Sequence, residues 1–522
     1  MSYAARLPAG RDTRRSERAA RLALVLALAA FFVQSARGIE SESLTFDEPP
    51  AIGSAHLAFR RHDLRLVKER PPLLGLFITP ALVLSGDPRL PPVGDPRDVV
   101  ADGRFGDAFL HDAGNDPIRI LRVCRYTVLV LSLGLGAAIW AWAVRLGGPG
   151  AGILAAVLFA FCPNLLAHSR IAANDMTCAI FVFVAVFALD AFRRRPTPAR
   201  AALAGVGLGL ALAAKLSAVL VLPLAALVLL DDLRRRGRDA ALPAAIVAAA
   251  AVLTLGACMG GTFDYGTYLA AFGHVYRGTR PGYLFYLGGA LSPRPWWYYH
   301  LYAAAIKTPL SLLALFGAGT LVLLRRARDR MAAVLVLGPI LLFLVASCFD
   351  TANIGLRRIL PIYPFVILAA AQSIERRAAT LGIVVLCAWQ AVAVLRIAPH
   401  HLSYFNELVG GPTGGILHLD DSNIDWGQDL PSLRRWLDAH PGLPVRLDYF
   451  GAARPGTYGI RLPAMDEDRE ICAPERAVYA VSAHLLVFFE KVARERGPAC
   501  SWLHRHRPVD RAGYSIWVYD FR

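Results

Sequence analysis

The sequence predicts an α-helical polytopic membrane protein with about eleven transmembrane helices, followed by a small C-terminal α/β domain outside the membrane. Three observations carry that class. Apolar residues fill 55% of 522 positions and charged ones only 18%, where a soluble domain runs about 25% charged. Mean hydropathy is +0.43. Long apolar runs recur from Ala20 to Ile397 and then stop. This profile excludes a disordered chain, a disulfide-stapled secreted module and a cytosolic enzyme. The net charge of +16 would suggest nucleic acid in a soluble chain. The arginines instead cluster between apolar runs, as topology determinants do, so no nucleic acid is expected as partner.

A span needs ~20 mostly apolar residues. On that criterion spans fall at roughly 20–38, 119–143, 150–167, 176–192, 200–214, 216–231, 241–261, 303–324, 331–349, 359–374 and 378–397. Arg6, Arg11, Arg14, Arg15 and Arg18 precede the first span, which predicts a cytoplasmic N-terminus. The clusters Arg193–Arg195, Arg234–Arg236, Arg325–Arg330 and Arg376–Arg377 then fall on the same side. That parity puts 39–118, 168–175, the turn at Lys215, 262–302, 350–358 and the tail outside. Residues 200–231 also read as one long helix, but this breaks the parity, so two short spans are preferred. The basic start and the small residues near Ser35–Ala36 also fit a signal peptide. A polytopic chain is expected to keep its first helix, and the following loop is external either way.

The chain divides into a membrane domain, 1–397, and an outer domain, 398–522. The outer domain mixes strand-like runs (Val445–Phe450, Val478–Ser482, Ser515–Tyr519) with helix-like ones (Leu430–Ala439, Leu485–Arg496). Its length suffices for one small α/β unit. Cys124, Cys162, Cys178, Cys258, Cys348 and Cys387 lie in apolar spans, where a thiol packs as a small hydrophobe. Cys472 and Cys500 are the two in the tail; a disulfide and two buried thiols are both open.

Ionisable groups near a membrane are costly and usually functional. They are scarce inside the spans and dense at the external ends: Asp47, Glu48, Glu69, Arg70, His168, Arg170, Asp175, Lys215, His300, Lys307, Arg357 and Arg358. A transporter is expected to hold charges near the bilayer midplane instead. The pattern therefore favours a site at the outer interface. Thr45-Phe-Asp-Glu-Pro-Pro50 follows the first span. Its carboxylates read either as a solvated helix cap or as a general base for an incoming hydroxyl. Glu69-Arg-Pro-Pro-Leu73 precedes an apolar stretch, Leu74–Leu84, which reads as a re-entrant or interfacial helix. His168-Ser-Arg-Ile-Ala-Ala-Asn-Asp175 is a polar hairpin or a further part of the site. Trp296-Trp-Tyr-Tyr-His300 and Lys307-Thr-Pro309 fit an aromatic belt with a snorkelling lysine. Gly355-Leu-Arg-Arg-Ile-Leu-Pro361 sets paired arginines on the outer side, against the positive-inside bias. Something must compensate them, and a lipid phosphate matches a guanidinium fork.

With those five elements the chain resembles the GT-C glycosyltransferases, and more closely glycosyltransferase family 39 (the protein O-mannosyltransferase and lipid A aminoarabinose-transferase type) in its bacterial phospholipid-carrier-dependent branch. The likeness runs along essentially the whole chain. The family's acidic first-loop motif stands as Asp47-Glu48, its second-loop aspartate as Asp175, its turn lysine as Lys215 and its Gly-x-Arg-x-x-Leu-Pro arginine as Arg357. The bacterial branch's Trp-Trp-Tyr-Tyr and Lys-Thr-Pro are present, as are Pro399–Glu407 and Asp421-Ser-Asn-Ile-Asp-Trp-Gly-Gln-Asp429, the most specific signal in the sequence. Where the branch usually has Glu-His-Pro-Pro-Leu, this chain has Arg70 in place of the histidine. No metal or donor role of that histidine is carried over.

The resemblance implies the GT-C fold in a bacterial inner or plasma membrane. It also implies transfer of a sugar from a polyprenyl-phosphate carrier to a hydroxyl of a lipid, glycan or protein outside the membrane, with inversion. Asp47 is then the base, with Glu48 and Asp175 orienting base or acceptor. Lys215, Arg357, Arg70 and Lys307 are the cations for the donor phosphate. Arg170, His168, His300, Asp425, Trp426 and Gln428 are further candidates for substrate contact. No cofactor is required by the motifs, and a divalent metal stays open. Asp421, Asn423 and Asp425 alternate as in a calcium loop, but Trp426 and Ser432 occupy positions where that template needs a turn residue and a glutamate. The rivals are a transporter or flippase of a lipid-linked sugar, a non-catalytic relative, and a ligase using a diphosphate donor.

Overall fold

The structure, a computed structural model, describes residues 11–98, 100–277, 283–325, 329–374 and 380–522. Arg6, Arg326, Arg328, Arg376 and Arg377, used above to assign sides, lie outside the described residues.

Among the described residues sixteen α-helices precede the tail's own elements. They are α1 (Arg11–Ser41), α2 (Glu48–Arg61), α3 (Leu73–Leu84), α4 (Ala101–His111), α5 (Pro117–Ala160), α6 (Pro163–His168), α7 (Asn174–Arg194) and α8 (Pro198–Ala214). They continue as α9 (Leu222–Arg236), α10 (Ala241–Cys258), α11 (Tyr265–Arg277), α12 (Tyr299–Lys307), α13 (Leu310–Arg325), α14 (Arg330–Ser347), α15 (Tyr363–Ala370) and α16 (Thr380–Ile397). Each of the eleven apolar segments read from the sequence is helical over most of its length. Among the described residues, however, only six helices are long and apolar enough to cross a membrane, or seven if one bent pair counts as a span.

The difference has a physical cause in proline and glycine. The 44 residues of α5 would reach about 66 Å if straight, twice the hydrocarbon core. Gly148, at φ 79 before Pro149, breaks the helix. A side chain placed on Gly136 would strike Phe159 at 2.5 Å, so the chain folds back on itself there. The apolar stretch from Leu216 to Cys258 is likewise interrupted at Gly237, at φ 58. The α12–α13 pair bends by 108°. Thr308 is extended at the bend because the following Pro309 disfavours the helical region for the residue before it.

The first loop is compact rather than irregular. Helices α2, α3 and α4 pack through glycine: a Cβ on Gly106 would lie 2.2 Å from the Pro49 carbonyl, and one on Gly75 would lie 2.2 Å from the Ala55 oxygen. At 12 residues, α3 is too short to span and keeps Leu76, Val83 and Leu84 exposed.

Helix α7 sets the axis on which charge is sorted. Asp175 occupies its first turn and Arg193–Arg194 its last, about 30 Å apart along 21 residues. At the arginine end, fully buried Asp190 collects Arg145, Arg193 and Arg194. The Arg193–Arg194 cluster and Asp175 thus sit at opposite ends of the same helix.

A two-stranded ribbon, β1 (Phe285–Leu287) and β2 (Ala290–Ser292), precedes α12. The tail holds a four-stranded mixed sheet of β3 (Val445–Asp448), β4 (Val478–Ser482), β5 (Asp510–Ala512) and β6 (Ile516–Asp520), in the order β3-β4-β6-β5. Only β3 and β4 are parallel. Helices Leu430–Ala439 and Ala483–Arg496 accompany it, and Cys472 and Cys500 are joined in a disulfide. Residues 399–429 form a strap bound to the membrane domain. Asn406 donates from Nδ2 to the Ala305 and Thr308 carbonyls, and Leu356 N donates to Asn423 Oδ1.

Candidate active site

The site begins where α1 ends. Asp47 is the N-cap of α2, with Pro49 and Pro50 starting the helix as proline's fixed φ allows. Arg70 Nη2 donates to Asp47 Oδ1 at 3.0 Å, and Arg70 Nη1 donates to Asp102 Oδ2 at 2.9 Å. Arg357 donates to Asp47 Oδ2 and lies 3.8 Å from Asp175 Oδ2. Lys215 Nζ donates to Asp175 Oδ1 at 2.5 Å. Six charges therefore run in alternation, Asp102–Arg70–Asp47–Arg357–Asp175–Lys215, drawn from α4, two parts of the first loop, the segment before α15, α7 and the α8–α9 turn. Asp175 also gains from the positive end of α7.

Burial disfavours the charge on Asp47, but the guanidinium groups of Arg357 and Arg70 outweigh it and hold the carboxyl below its ordinary value. The same attractions, opposing burial, raise Arg357 and Arg70 above the usual arginine value.

Glu48 is adjacent in sequence and opposite in role. It is fully buried, and its oxygens accept five hydrogen bonds: from Arg125 Nε (2.8 Å) and Nη2 (2.7 Å), Ala172 N (2.9 Å), and Thr45 N (2.8 Å) and Oγ1 (3.0 Å). Arg125 also donates to the carbonyls of Glu42 and Ser43. This pair nails the acidic loop to α5 and to the 168–175 turn. Arg170, likewise fully buried, is bonded to Glu42 Oε1 at 2.6 Å and to His401 Nδ1 at 3.2 Å. It staples the end of α1 to the strap and does not join the Asp47 chain.

The strap supplies the floor. Phe46 N donates to the Trp426 carbonyl (3.0 Å) and Ser43 N to that of Gln428 (2.8 Å). The Trp426 ring lies 4.4 Å beneath the Arg357 guanidinium and meets His168 edge-on. Gln428 turns inward, accepting from Trp426 N and donating to the Ile424 carbonyl. Asp425 accepts from Gly427 N and His484 N, away from the ion chain. Burial pushes its carboxyl up to about 7. Asp429 accepts from Tyr514 N, Ser515 N and Ser515 Oγ. The oxygens of the Asp421–Asp429 run thus diverge, and no calcium cage forms.

Lys307 is buried, donating to the Leu402 and Asn423 carbonyls with its ammonium 4.3 Å from the Phe405 ring. It stands apart from the ion chain. His300 is buried and 3.9 Å from Asp350, which also pairs Arg358 (Nη2 to Oδ1, 2.9 Å). Both arginines of the 357–358 pair are therefore compensated within the chain, Arg358 by Asp350 and Arg357 by Asp47 and Asp175. Among the described residues no group of three His, Cys, Asp or Glu side chains has metal-binding geometry. Asp47 and Asp175 face cations rather than a second ligand, so no metal-dependent step is built on them.

Residues 120–258 match the family model described as dolichyl-phosphate-mannose-protein mannosyltransferase. In fold the chain is similar to the crystal structure of ArnT from Cupriavidus metallidurans in the apo state, with 14% identity and a TM-score of 0.50, covering 95% of this chain and 97% of that one. ArnT from the same organism bound to undecaprenyl phosphate gives 13% identity and a TM-score of 0.47 over the same shares, 95% and 97%. The apo oligosaccharyltransferase of Archaeoglobus fulgidus gives 13% and 0.46, covering 72% of this chain and 54% of that one. No curated protein sequence matches. The family match, over 139 of the chain's 522 residues, is to the class of lipid-carrier-dependent membrane glycosyltransferases. The shared architecture gives the fold, an ArnT-like helical arrangement with a small mixed-sheet domain at its C-terminal end.

Proposed function

We propose that the protein transfers a sugar from a polyprenyl-phosphate carrier to an acceptor hydroxyl at the outer face of a bacterial plasma membrane, with inversion. The N-terminus is then cytoplasmic, and the tail domain lies outside above the lipid headgroups. The observation that carries this reading is the meeting of Asp47, Asp175, Lys215, Arg357 and Arg70 in one ion chain, although they are spread over three hundred positions. An anionic lipid leaving group needs fixed cations at headgroup depth, and an acceptor hydroxyl needs a base beside them.

The acceptor oxygen attacks the anomeric carbon from the side opposite the phosphate. Asp47 takes the hydroxyl proton. The bond from the anomeric carbon to the phosphate oxygen breaks, and the phosphate leaves with the electron pair toward Arg357, Lys215 and Arg70. Positive charge developing on the sugar is eased by the nearby carboxylates. Glu48 and Arg125 hold the loop that carries Asp47, and Trp426 backs Arg357.

The test is mass spectrometry of envelope glycolipids and glycoproteins from a deletion strain, its parent, and strains restored with the parent gene or with Asp47→Asn. A sugar lost on deletion, regained with the parent gene and not with Asp47→Asn, is the expected result. Full restoration by Asp47→Asn overturns the assignment of the base. Carrier movement with no bond broken would support a flippase.

A further inference from the structure

At rest the proposed base is clamped. Both oxygens of Asp47 are engaged, one by Arg70 and one by Arg357. A carboxylate so held is a poor proton acceptor, because taking up a proton sacrifices two charge-assisted bonds. Yet the cations that clamp it are those an anionic leaving group requires.

We propose that the donor's phosphate and Asp47 compete for Arg357 and Arg70, so that a lipid-linked phosphate entering the site draws the guanidinium groups away and frees Asp47 to act on the acceptor. This rests on the reading of Arg357, Arg70 and Lys215 as the phosphate seat.

Three observations point to Asp47 as the carboxylate that yields. The ion chain is balanced, with three carboxylates on three cations, so an arriving phosphate leaves the cations oversubscribed. Asp175 and Asp102 each sit in the first turn of a helix, α7 and α4, where the helix end supports a negative charge. The Asp47 side chain stands at a helix start too, but makes no capping hydrogen bond, so among the described residues only the two arginines hold it. The cations are also within reach of an incoming anion. The Arg70, Lys215 and Arg357 side chains keep 30%, 25% and 14% of their surface exposed, whereas the neighbouring Glu48–Arg125 pair is sealed at 0%. Arg70 has Asp102 to retain it once Asp47 is released, and Trp426 supports Arg357 from one face while its edge changes partner.

The experiment titrates full-length protein in detergent with farnesyl phosphate, a short polyprenyl monophosphate, and with farnesol as the phosphate-free control. Asp47→Asn removes the competitor, and its affinity for farnesyl phosphate is expected to rise by roughly fivefold or more, the lower end of coupling between linked binding events. Its response to farnesol should not change. Arg357→Ala is expected to bind farnesyl phosphate roughly tenfold more weakly, as loss of a charge-assisted contact implies. Equal or weaker binding by Asp47→Asn, beside a weakened Arg357→Ala, overturns the competition and leaves the phosphate seat standing. Parent-like binding by both Arg357→Ala and Lys215→Ala overturns the seat itself. Should Asp47→Asn fail to fold, the unaltered protein carries the same test. Carbodiimide labelling of Asp47, read by mass spectrometry, should rise when farnesyl phosphate is added, and labelling that stays level or falls overturns the competition.

Discussion

Removing Arg125 should damage the fold before it damages the chemistry. Its guanidinium is fully buried against Glu48 and also binds two backbone carbonyls at 3.0 and 2.8 Å. Arg125→Ala strands the Glu48 carboxylate in an enclosed site and leaves the Glu42 and Ser43 carbonyls unpaired. Breaking a buried pair from one side costs about 3–5 kcal/mol. On a chain of 522 residues that corresponds to a melting midpoint lower by roughly 3–5 °C. Replacing both partners with methionine removes the stranded charge, so the double variant should melt above Arg125→Ala. The assay is thermal unfolding in detergent, followed by reaction of a maleimide dye with the six cysteines outside the disulfide as they become exposed. An Arg125→Ala protein that melts and turns over as the parent does would refute the claim that this pair anchors the acidic loop.

Trp426→Ala should lower turnover by about 5- to 30-fold through loss of the cation–π support under Arg357, with Trp426→Phe largely restoring it, as steady-state kinetics would register. In the tail, burial disfavours a charged His484, but Asp420, 2.8 Å away, outweighs it and lifts the imidazole from 6.5 to about 9. A raised histidine stabilises the fold fully below its unfolded value and loses that contribution as the pH climbs through the folded one. Melting followed from pH 7 to 10 should therefore show a loss on the order of 2 kcal/mol in the parent, and a flatter profile in His484→Gln. Reducing the Cys472–Cys500 disulfide opens a loop of 28 residues, and a chain-entropy estimate of about 3.5 kcal/mol predicts earlier melting of the tail in dithiothreitol.

Much of the site was legible because its residues break the rules of their surroundings. Asp47, Asp175, Lys215 and Arg357 are ionisable groups at span ends, and the structure gathers all four. The paired arginines at 357–358 asked for compensation, which comes from carboxylates of the chain itself. Arg125 carries a comparable signal, a cation inside the apolar run 119–143, and sequence alone casts its partner Glu48 as a catalytic residue, whereas the structure shows it as the counter-ion of Arg125. Asp102 gave no signal at all, since nothing local distinguishes it from the loop's other aspartates and only the packing of α4 on α2 brings it to Arg70. The span count was read from apolar length alone. Gly148, Gly237 and Pro309 decide where those helices break, and the sequence marks such residues without saying whether a helix bends, reverses or stops at them.

The reaction assigned to the ion chain is tested most directly by turnover of a polyprenyl-phosphate sugar by purified protein, with Asp47→Asn beside the parent and both checked for the same melting midpoint. Loss of general-base action predicts a fall in kcat on the order of 100-fold or more. Turnover by a normally folded Asp47→Asn within threefold of the parent would contradict the account.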